Sequence, residues 1–250
     1  MAVLSCLNVT KYFGENRVLD NVSLEIEKGS FVSIIGASGS GKSTLLTILG
    51  GIDKPSEGSV ILDGVEISKM SEKELAILRR TKLGFVFQFF NLAPYLTAEE
   101  NVLLPITLKG KVSEEDKNRA RELMEYLGIS ELKNKLPGKM SGGEQQRVAI
   151  ARGLIINPEV ILLDEPTGNL DSKNSEEIMN LLKRINEEFN TTIVQVTHSD
   201  VNANYGNVLI TIKDGKIIRQ DVAKQDVIRE ETIEVEELET QEEVIEVAED

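Results

Sequence analysis

The chain has 250 residues, 40% hydrophobic and 28% charged, a composition that supports a buried core and disfavours wholesale disorder, collagen or a coiled-coil rod. Its net charge of −14 is uneven: residues 221–250 hold 13 acidic side chains against Lys224 and Arg229, a balance of −11, leaving only −3 on the preceding 220 residues. A near-neutral body with an acidic tail lacks the basic surface that nucleic-acid backbone demands, so no nucleic acid is expected as a partner.

From the N-terminus, Met1 to Thr10 has no basic segment followed by an apolar one, and no stretch approaches the roughly 20 apolar residues that cross a bilayer, so neither export nor membrane spanning is expected. Cys6, the single cysteine, cannot form an internal disulfide, which fits a reducing compartment, and reads as a small buried apolar residue. Leu7 to Val9, Val18 to Ile26 and Val60 to Leu62 read as antiparallel strands joined by turns at Lys28-Gly29 and Asp63-Gly64. Phe31 to Ile35 is a buried strand running into a glycine-rich turn and a helix from about Lys42 to Gly50, and Leu83 to Phe87, Val160 to Leu163 and Ile193 to Val196 are further short apolar strands. This alternation predicts an α/β protein with a mainly parallel sheet.

Between Gln88 and about Gly153 the strand pattern vanishes, and three capping boxes follow: Thr97 with Glu100, Ser113 with Asp116, and Ser141 with Glu144. The segment reads as an inserted helical subdomain. Residues 1–220 are expected to form one domain, with 221–250 a solvated, weakly ordered acidic tail. The other reading of that tail is a short docked helix or strand using Ile233, Val235, Leu238, Val244, Ile245 and Val247.

Gly36-Ala37-Ser38-Gly39-Ser40-Gly41-Lys42-Ser43 matches G-x-x-x-x-G-K-[ST] between a predicted strand and a predicted helix, the context this phosphate-binding loop requires. Its glycines let backbone N–H groups curl around a phosphate, Lys42 neutralises phosphate charge, and the Ser43 hydroxyl can ligate Mg²⁺. Val160 to Leu163 ends in Asp164 and Glu165, which face opposite ways on a strand. Asp164 suits the surroundings of a Mg²⁺ held at Ser43, and Glu165 can face an attacking water as general base. Ser141-Gly142-Gly143-Glu144 opens a helix whose cap explains Ser141 and Glu144 but not the paired glycines, which suggest close approach of a ligand or another backbone. His198, the only histidine, follows the strand Thr192 to Thr197 and suits contact with a γ-phosphate.

With these motifs in this order, residues 1 to about 220 resemble the nucleotide-binding subunits of ATP-binding cassette (ABC) transporters, which implies a RecA-like P-loop core, an antiparallel β subdomain and an inserted helical subdomain. The resemblance implies Walker A at Gly36 to Thr44, the Q-loop at Gln88 as a metal and catalytic residue, the signature at Ser141 to Gln145, Walker B at Val160 to Glu165, the D-loop at Asn169-Leu170-Asp171 and a switch histidine at His198. Adenine would stack on Phe13, with Tyr12 the alternative. It further implies ATP and Mg²⁺ as cofactors and a head-to-tail homodimer in which one copy's signature closes over ATP held by the other. Met140 and Glu144 replace the usual leucine and glutamine of the signature, and Ser199 to Asn207 departs from the usual continuation.

Gly50-Gly51-Ile52-Asp53-Lys54-Pro55, Phe87-Gln88-Phe89-Phe90-Asn91-Leu92, Glu99-Glu100-Asn101-Val102 with Pro105, and Pro166-Thr167-Gly168-Asn169-Leu170-Asp171 are similar to the lipoprotein-release, macrolide- or peptide-export and cell-division group. That resemblance implies an integral membrane permease of few spans as partner, a place on the cytoplasmic face of the membrane, and export or mechanical extrusion; the alternative is a regulatory cell-division ATPase acting on cell-envelope enzymes through a membrane partner. A soluble cassette of DNA repair or translation is disfavoured, because the stretch from Gly36 to Ser141 holds no zinc or coiled-coil insertion. Phe85 and Phe87 read as core by strand alternation, while Phe89, Phe90, Leu92 and Tyr95 in the following loop read as a docking surface for the permease.

Overall fold

The computed structural model describes residues 2–222. Two strands of 12 residues, β1 (Ala2–Phe13) and β2 (Asn16–Glu27), pair antiparallel around Gly14 and Glu15. Asn8 and Asn21 take positive φ where the register of this pair shifts, as bulged residues do. Strand β3 (Phe31–Ile35) then runs through the glycine-rich turn into helix α1 (Lys42–Leu49). Strands β4 (Glu57–Leu62) and β5 (Val65–Glu66) complete a four-stranded antiparallel sheet of order β2-β1-β4-β5.

Helix α2 (Glu72–Lys82) leads into β6 (Leu83–Val86), and three helices follow without a strand: α3 (Ala98–Thr107), α4 (Glu114–Tyr126) and α5 (Gly142–Leu154). Each of these three opens on the capping box expected for it, with Thr97, Ser113 and Ser141 as caps. A fourth box, Ser71 with Glu74, starts α2. The chain returns as β7 (Val160–Asp164), α6 (Ser172–Phe189), β8 (Thr192–Thr197), α7 (Asp200–Ala203), β9 (Val208–Lys213) and β10 (Lys216–Val222).

The second sheet has the order β10-β9-β3-β8-β7-β6, parallel throughout except for β10 at its edge. Its central strands are buried on both faces, which is why they read as continuous apolar runs. Side-chain alternation divides two cores: Val32, Ile34, Val160, Leu162, Val194 and Val196 pack with α1 and the antiparallel sheet, whereas Phe31, Ile161, Leu163 and Ile193 pack with α3, α4, α5 and α6. The architecture is α/β, a RecA-like P-loop core carrying an antiparallel sheet and a block of inserted helices.

Several local expectations need correction. The turn at Lys28-Gly29 leads from β2 into β3 of the other sheet, and the turn between the paired strands is at Gly14 and Glu15. Asp63-Gly64 does join an antiparallel pair, β4 and β5. The β9–β10 hairpin, turning at Asp214 and Gly215, was not anticipated. Asp221 and Val222 belong to β10, and the rest of the acidic segment lies outside the described residues, as does the alternative docking of Ile233 to Val247. Burial pushes the Cys6 thiol up to about 12, in keeping with a small apolar core residue.

Candidate active site

The phosphate loop is shaped by what its glycines exclude. Gly36 sits at φ 156°, and a Cβ there would lie 2.1 Å from the Ile212 carbonyl oxygen and 2.7 Å from Ser40 Oγ. Gly41, at φ 102°, would place a Cβ 2.8 Å from the Val18 carbonyl oxygen. The β9–β10 hairpin therefore braces the loop, and the Gly215 N–H donates to the Ser40 carbonyl at 3.1 Å. Gly41 caps α1 with no side chain, so the helix presents bare N–H groups to an anion. Lys42 is buried and donates from Nζ to the carbonyls of Gly36 (2.8 Å) and Ala37 (2.9 Å), which holds the ammonium inside the loop.

Ser38, Gly39, Gly41, Lys42, Ser43 and Thr44 line a cavity of about 650 Å³ together with Val18, Glu165 and His198. The buried Ser40 hydroxyl has no partner among the described residues. Ser43 Oγ donates to Asp164 Oδ1 at 2.9 Å. Burial pushes the Asp164 pKa above its ordinary value, with the Glu165 charge acting the same way and the Ser43 bond opposing both. One hydroxyl and one carboxylate form a hard oxygen donor pair of the kind Mg²⁺ takes alongside nucleotide phosphates. Among the described residues no group of three or more His, Cys, Asp or Glu could hold a metal, so this pair is too small to cage an ion by itself.

Just past the end of β7, Glu165 takes a left-handed backbone (φ 46°), uncommon for a side chain of its size. Its N–H stays on the ladder, donating to the Val196 carbonyl at 3.0 Å. The turn aims Glu165 Oε2 at His198 Nδ1, 2.9 Å away, beyond the end of the adjacent β8. A chain of bonds that sequence reasoning missed fixes both loops: Gln195 Nε2 donates to Ser33 Oγ and to the Asn202 carbonyl, both at 2.8 Å, and Asn202 Nδ2 donates to Thr167 Oγ1 at 2.7 Å. Only the glutamine within an otherwise apolar strand could have signalled it.

Other expected site residues stand apart from this cavity. Gln88 packs its amide over Gly168, where a Cβ would meet Nε2 at 2.8 Å, and its carbonyl accepts from Asn169 Nδ2 at 2.7 Å. Asp171 caps α6, accepting from the Asn174 N–H at 2.9 Å and from Asn174 Nδ2 at 2.6 Å. The paired glycines are explained by neighbours within the chain: a Cβ at Gly143 would meet Asn174 Oδ1 at 2.7 Å, and one at Gly142 would meet Leu170 Cδ2 at 3.2 Å. Glu144 is committed to its cap, accepting from the Ser141 N–H at 2.6 Å, a bond that lowers its pKa. Met140 is buried in the helical core. Phe13 is exposed beneath Lys11, whose Nζ lies 4.9 Å from the ring centroid, while Tyr12 lines a separate polar groove with Arg17, Asp20 and Glu57.

Within the aromatic cluster Phe85 packs against the core as expected. Phe90 and Leu92 pack against the helical core, and Phe89 and Tyr95 are exposed at 73% and 91%. Phe85 and Phe87 are half-buried, stack with centroids 5.9 Å apart, and line an open groove of about 500 Å³ between α2, β6, α3 and α5. The chain bends out of β6 at Phe90 and Asn91, both with positive φ, and this turns Phe90 inward. Asn101, fully buried, secures the loop beyond by donating to the carbonyls of Ala93, Leu96 and Thr97 and accepting from the Ala93 N–H.

The fold and this cavity define a P-loop nucleotide hydrolase. A family model described as ABC transporter matches residues 19–168. MJ0796 of Methanocaldococcus jannaschii, described as an uncharacterized ABC transporter ATP-binding protein, is 50% identical over 223 residues, covering 86% of this chain and 94% of that one. The lipoprotein-releasing system ATP-binding protein LolD of Aquifex aeolicus is 49% identical over 216 residues (86% and 96%), and the bacitracin export ATP-binding protein BceA of Halalkalibacterium halodurans is 44% identical over 224 residues (88% of each). A solved dimeric structure of MJ0796 in a post-hydrolysis state, bound to ADP and Pi, superposes with a TM-score of 0.81 at 48% identity, covering 88% of this chain and 99% of that one. The chain belongs to the ABC transporter family and is one of its ATP-binding, ATP-hydrolysing subunits.

Proposed function

We propose that this subunit is the ATP-driven motor of a membrane permease that exports or mechanically extrudes a peptide, macrolide or lipoprotein, and that it sits peripherally on the cytoplasmic face of the membrane. The names of LolD and BceA support that class of cargo, and among the described residues no helix is long and apolar enough to cross a membrane. The observation that carries the catalytic part is the 2.9 Å approach of Glu165 to His198 in the wall of the phosphate-loop cavity.

In this reading the loop N–H groups and Lys42 bind the ATP phosphates, Ser38, Gly39, Ser40 and Thr44 complete the cradle, and the exposed Phe13 stacks on adenine. Ser43 and Asp164 would hold Mg²⁺, which when bound supplies positive charge against the phosphate oxygens. Glu165 accepts the proton of the attacking water. His198, held beside Glu165, presents its other nitrogen towards the γ-phosphate.

Ser141 to Glu144 do not line this chain's own cavity, which supports a head-to-tail homodimer in which they, with Asp171, close over ATP held by the partner subunit. ATP then joins the two copies, and hydrolysis releases them. The permease is proposed to seat at the loop of Phe89, Phe90, Leu92 and Tyr95 and in the adjoining groove walled by Phe85 and Phe87. Gln88, adjacent to Phe87, would relay its position to the metal.

Tagging the protein in its native cells, solubilising membranes gently with ATP present, and identifying co-purifying integral membrane proteins by mass spectrometry tests the partner. A permease of few spans with a large extracytoplasmic domain is expected. A many-span importer permease, or no membrane protein, would overturn the assignment to this group.

A further inference from the structure

The groove beside β6 has an unusual charge. Three arginines, Arg79, Arg80 and Arg152, stand in its wall, and among the described residues no aspartate or glutamate lines it. Arg79 donates to the Gly51 carbonyl, Arg80 to the Leu108 carbonyl at 3.2 Å, and Arg152 to the carbonyls of Asn91 (2.5 Å) and Phe90 (2.8 Å). Among the described residues the arginine ion pairs are those of Arg17, Arg121, Arg147, Arg184 and Arg219, so the groove carries three cations held by backbone carbonyls and without a carboxylate partner. The occupant that suits it alternates aliphatic and acidic residues.

The chain contains such a segment. Residues 230–250 carry eleven carboxylates and no lysine or arginine, with Ile233, Val235, Leu238, Val244, Ile245 and Val247 interspersed. Its point of departure is favourable too. Register partners across the large sheet form one row, Val222–Val208–Val32–Val194–Leu162–Phe85, so the last described residue lies level with the groove wall. Five strand spacings separate the two, about 24 Å in all. The eleven residues from Val222 to Ile233 can span about 36 Å when extended, enough to bring Ile233 to the groove around the end of the sheet.

We propose that the acidic segment from Ile233 to Val247 occupies the arginine-walled groove of its own chain, as an internal competitor for the surface a membrane partner would use. Occupancy rests on the groove's shape and charge; the competition rests on the reading of that groove as the permease seat. Aliphatic side chains would cover Phe85, Phe87 and Leu108 while carboxylates pair with the guanidinium groups, an exchange that high salt weakens.

Zero-length carbodiimide cross-linking of the full-length chain, followed by peptide mass spectrometry, tests occupancy without nucleotide or permease. Tail carboxylates are expected to join Lys109 and Lys111, which follow Leu108 at the groove rim, on the order of tenfold more than Lys73, Lys183 or Lys213, as local tethering requires. Replacing Val244, Ile245 and Val247 with serine, outside the described fold, should abolish that preference, and Arg80→Glu should do the same. Cross-links spread evenly over surface lysines, a preference unchanged by the serine variant, or links formed only between isotopically distinct copies would overturn the proposal. Because the readout needs no hydrolysis, its failure leaves the ATPase reading standing, and a permease that docks elsewhere leaves occupancy standing.

Discussion

Glu165 and His198 leave neighbouring parallel strands one residue past their ends, and their side chains meet at 2.9 Å between Oε2 and Nδ1. The contact brings the only histidine of the chain against the carboxylate that closes the β7 strand end. The two side chains are thus positioned by strand ends that the Gln195–Asn202–Thr167 bonds lock together.

Glu165→Gln keeps the shape of the side chain but removes the proposed proton acceptor. Turnover should fall about 10²- to 10⁴-fold while ATP affinity stays within about twofold. Phosphate release and equilibrium binding measured on the same preparation check this, and undiminished hydrolysis would remove Glu165 from the base role.

Lys42→Ala deletes a buried cation that also ties the loop to itself through the Gly36 and Ala37 carbonyls. Loss of one charge-assisted contact, about 1.5–3 kcal/mol, should weaken ATP binding about 10- to 100-fold. Calorimetric titration decides it; wild-type affinity would contradict the phosphate role.

Asp164 bears on stability as well as metal binding. Burial raises its pKa above the ordinary 3.8, so the folded chain holds this proton more tightly than the unfolded chain does. Its effect on stability therefore becomes less favourable as pH rises from 3.8 through the raised value, and above that window the ionised group destabilises the nucleotide-free protein. Asp164→Asn, which keeps an acceptor for Ser43, should raise Tm by about 2 °C at neutral pH and weaken Mg²⁺-dependent nucleotide binding. A lowered Tm would mean that the carboxylate earns its place structurally.

Truncation after Val222 should leave basal ATP hydrolysis nearly unchanged and strengthen binding of the permease, because the groove loses its internal competitor. Equal permease affinity for the full-length and truncated chains would argue against competition.

How much of this was legible in the sequence depended on how far each feature is local. The phosphate loop could be read because phosphate binding dictates residue types at fixed spacing, and the three helical caps because both partners lie within one turn. The lengths of β1 and β2 could not, since Asn8 and Asn21 bulge the pairing and break its alternation. Asp214-Gly215, by contrast, is a local hairpin signal, and it turns β9 into β10. What no local pattern could show is that Ile212 closes over Gly36, that Asn174 fills the space beside Gly143, or that Phe90 turns inward while Phe85 and Phe87 line a groove. The family pattern implies Asp171 and Glu144 as nucleotide contacts, whereas in the single chain both are helix-cap residues, and no local pattern joins them to the phosphate loop.

Light scattering of the Glu165→Gln chain with saturating Mg-ATP reads ATP binding, the proposed base and the proposed contact of the signature with the partner's ATP at once. Twice the subunit mass is expected with ATP and a single subunit mass with ADP. A single subunit mass with both nucleotides, at full ATP occupancy, would contradict the ATP-joined dimer.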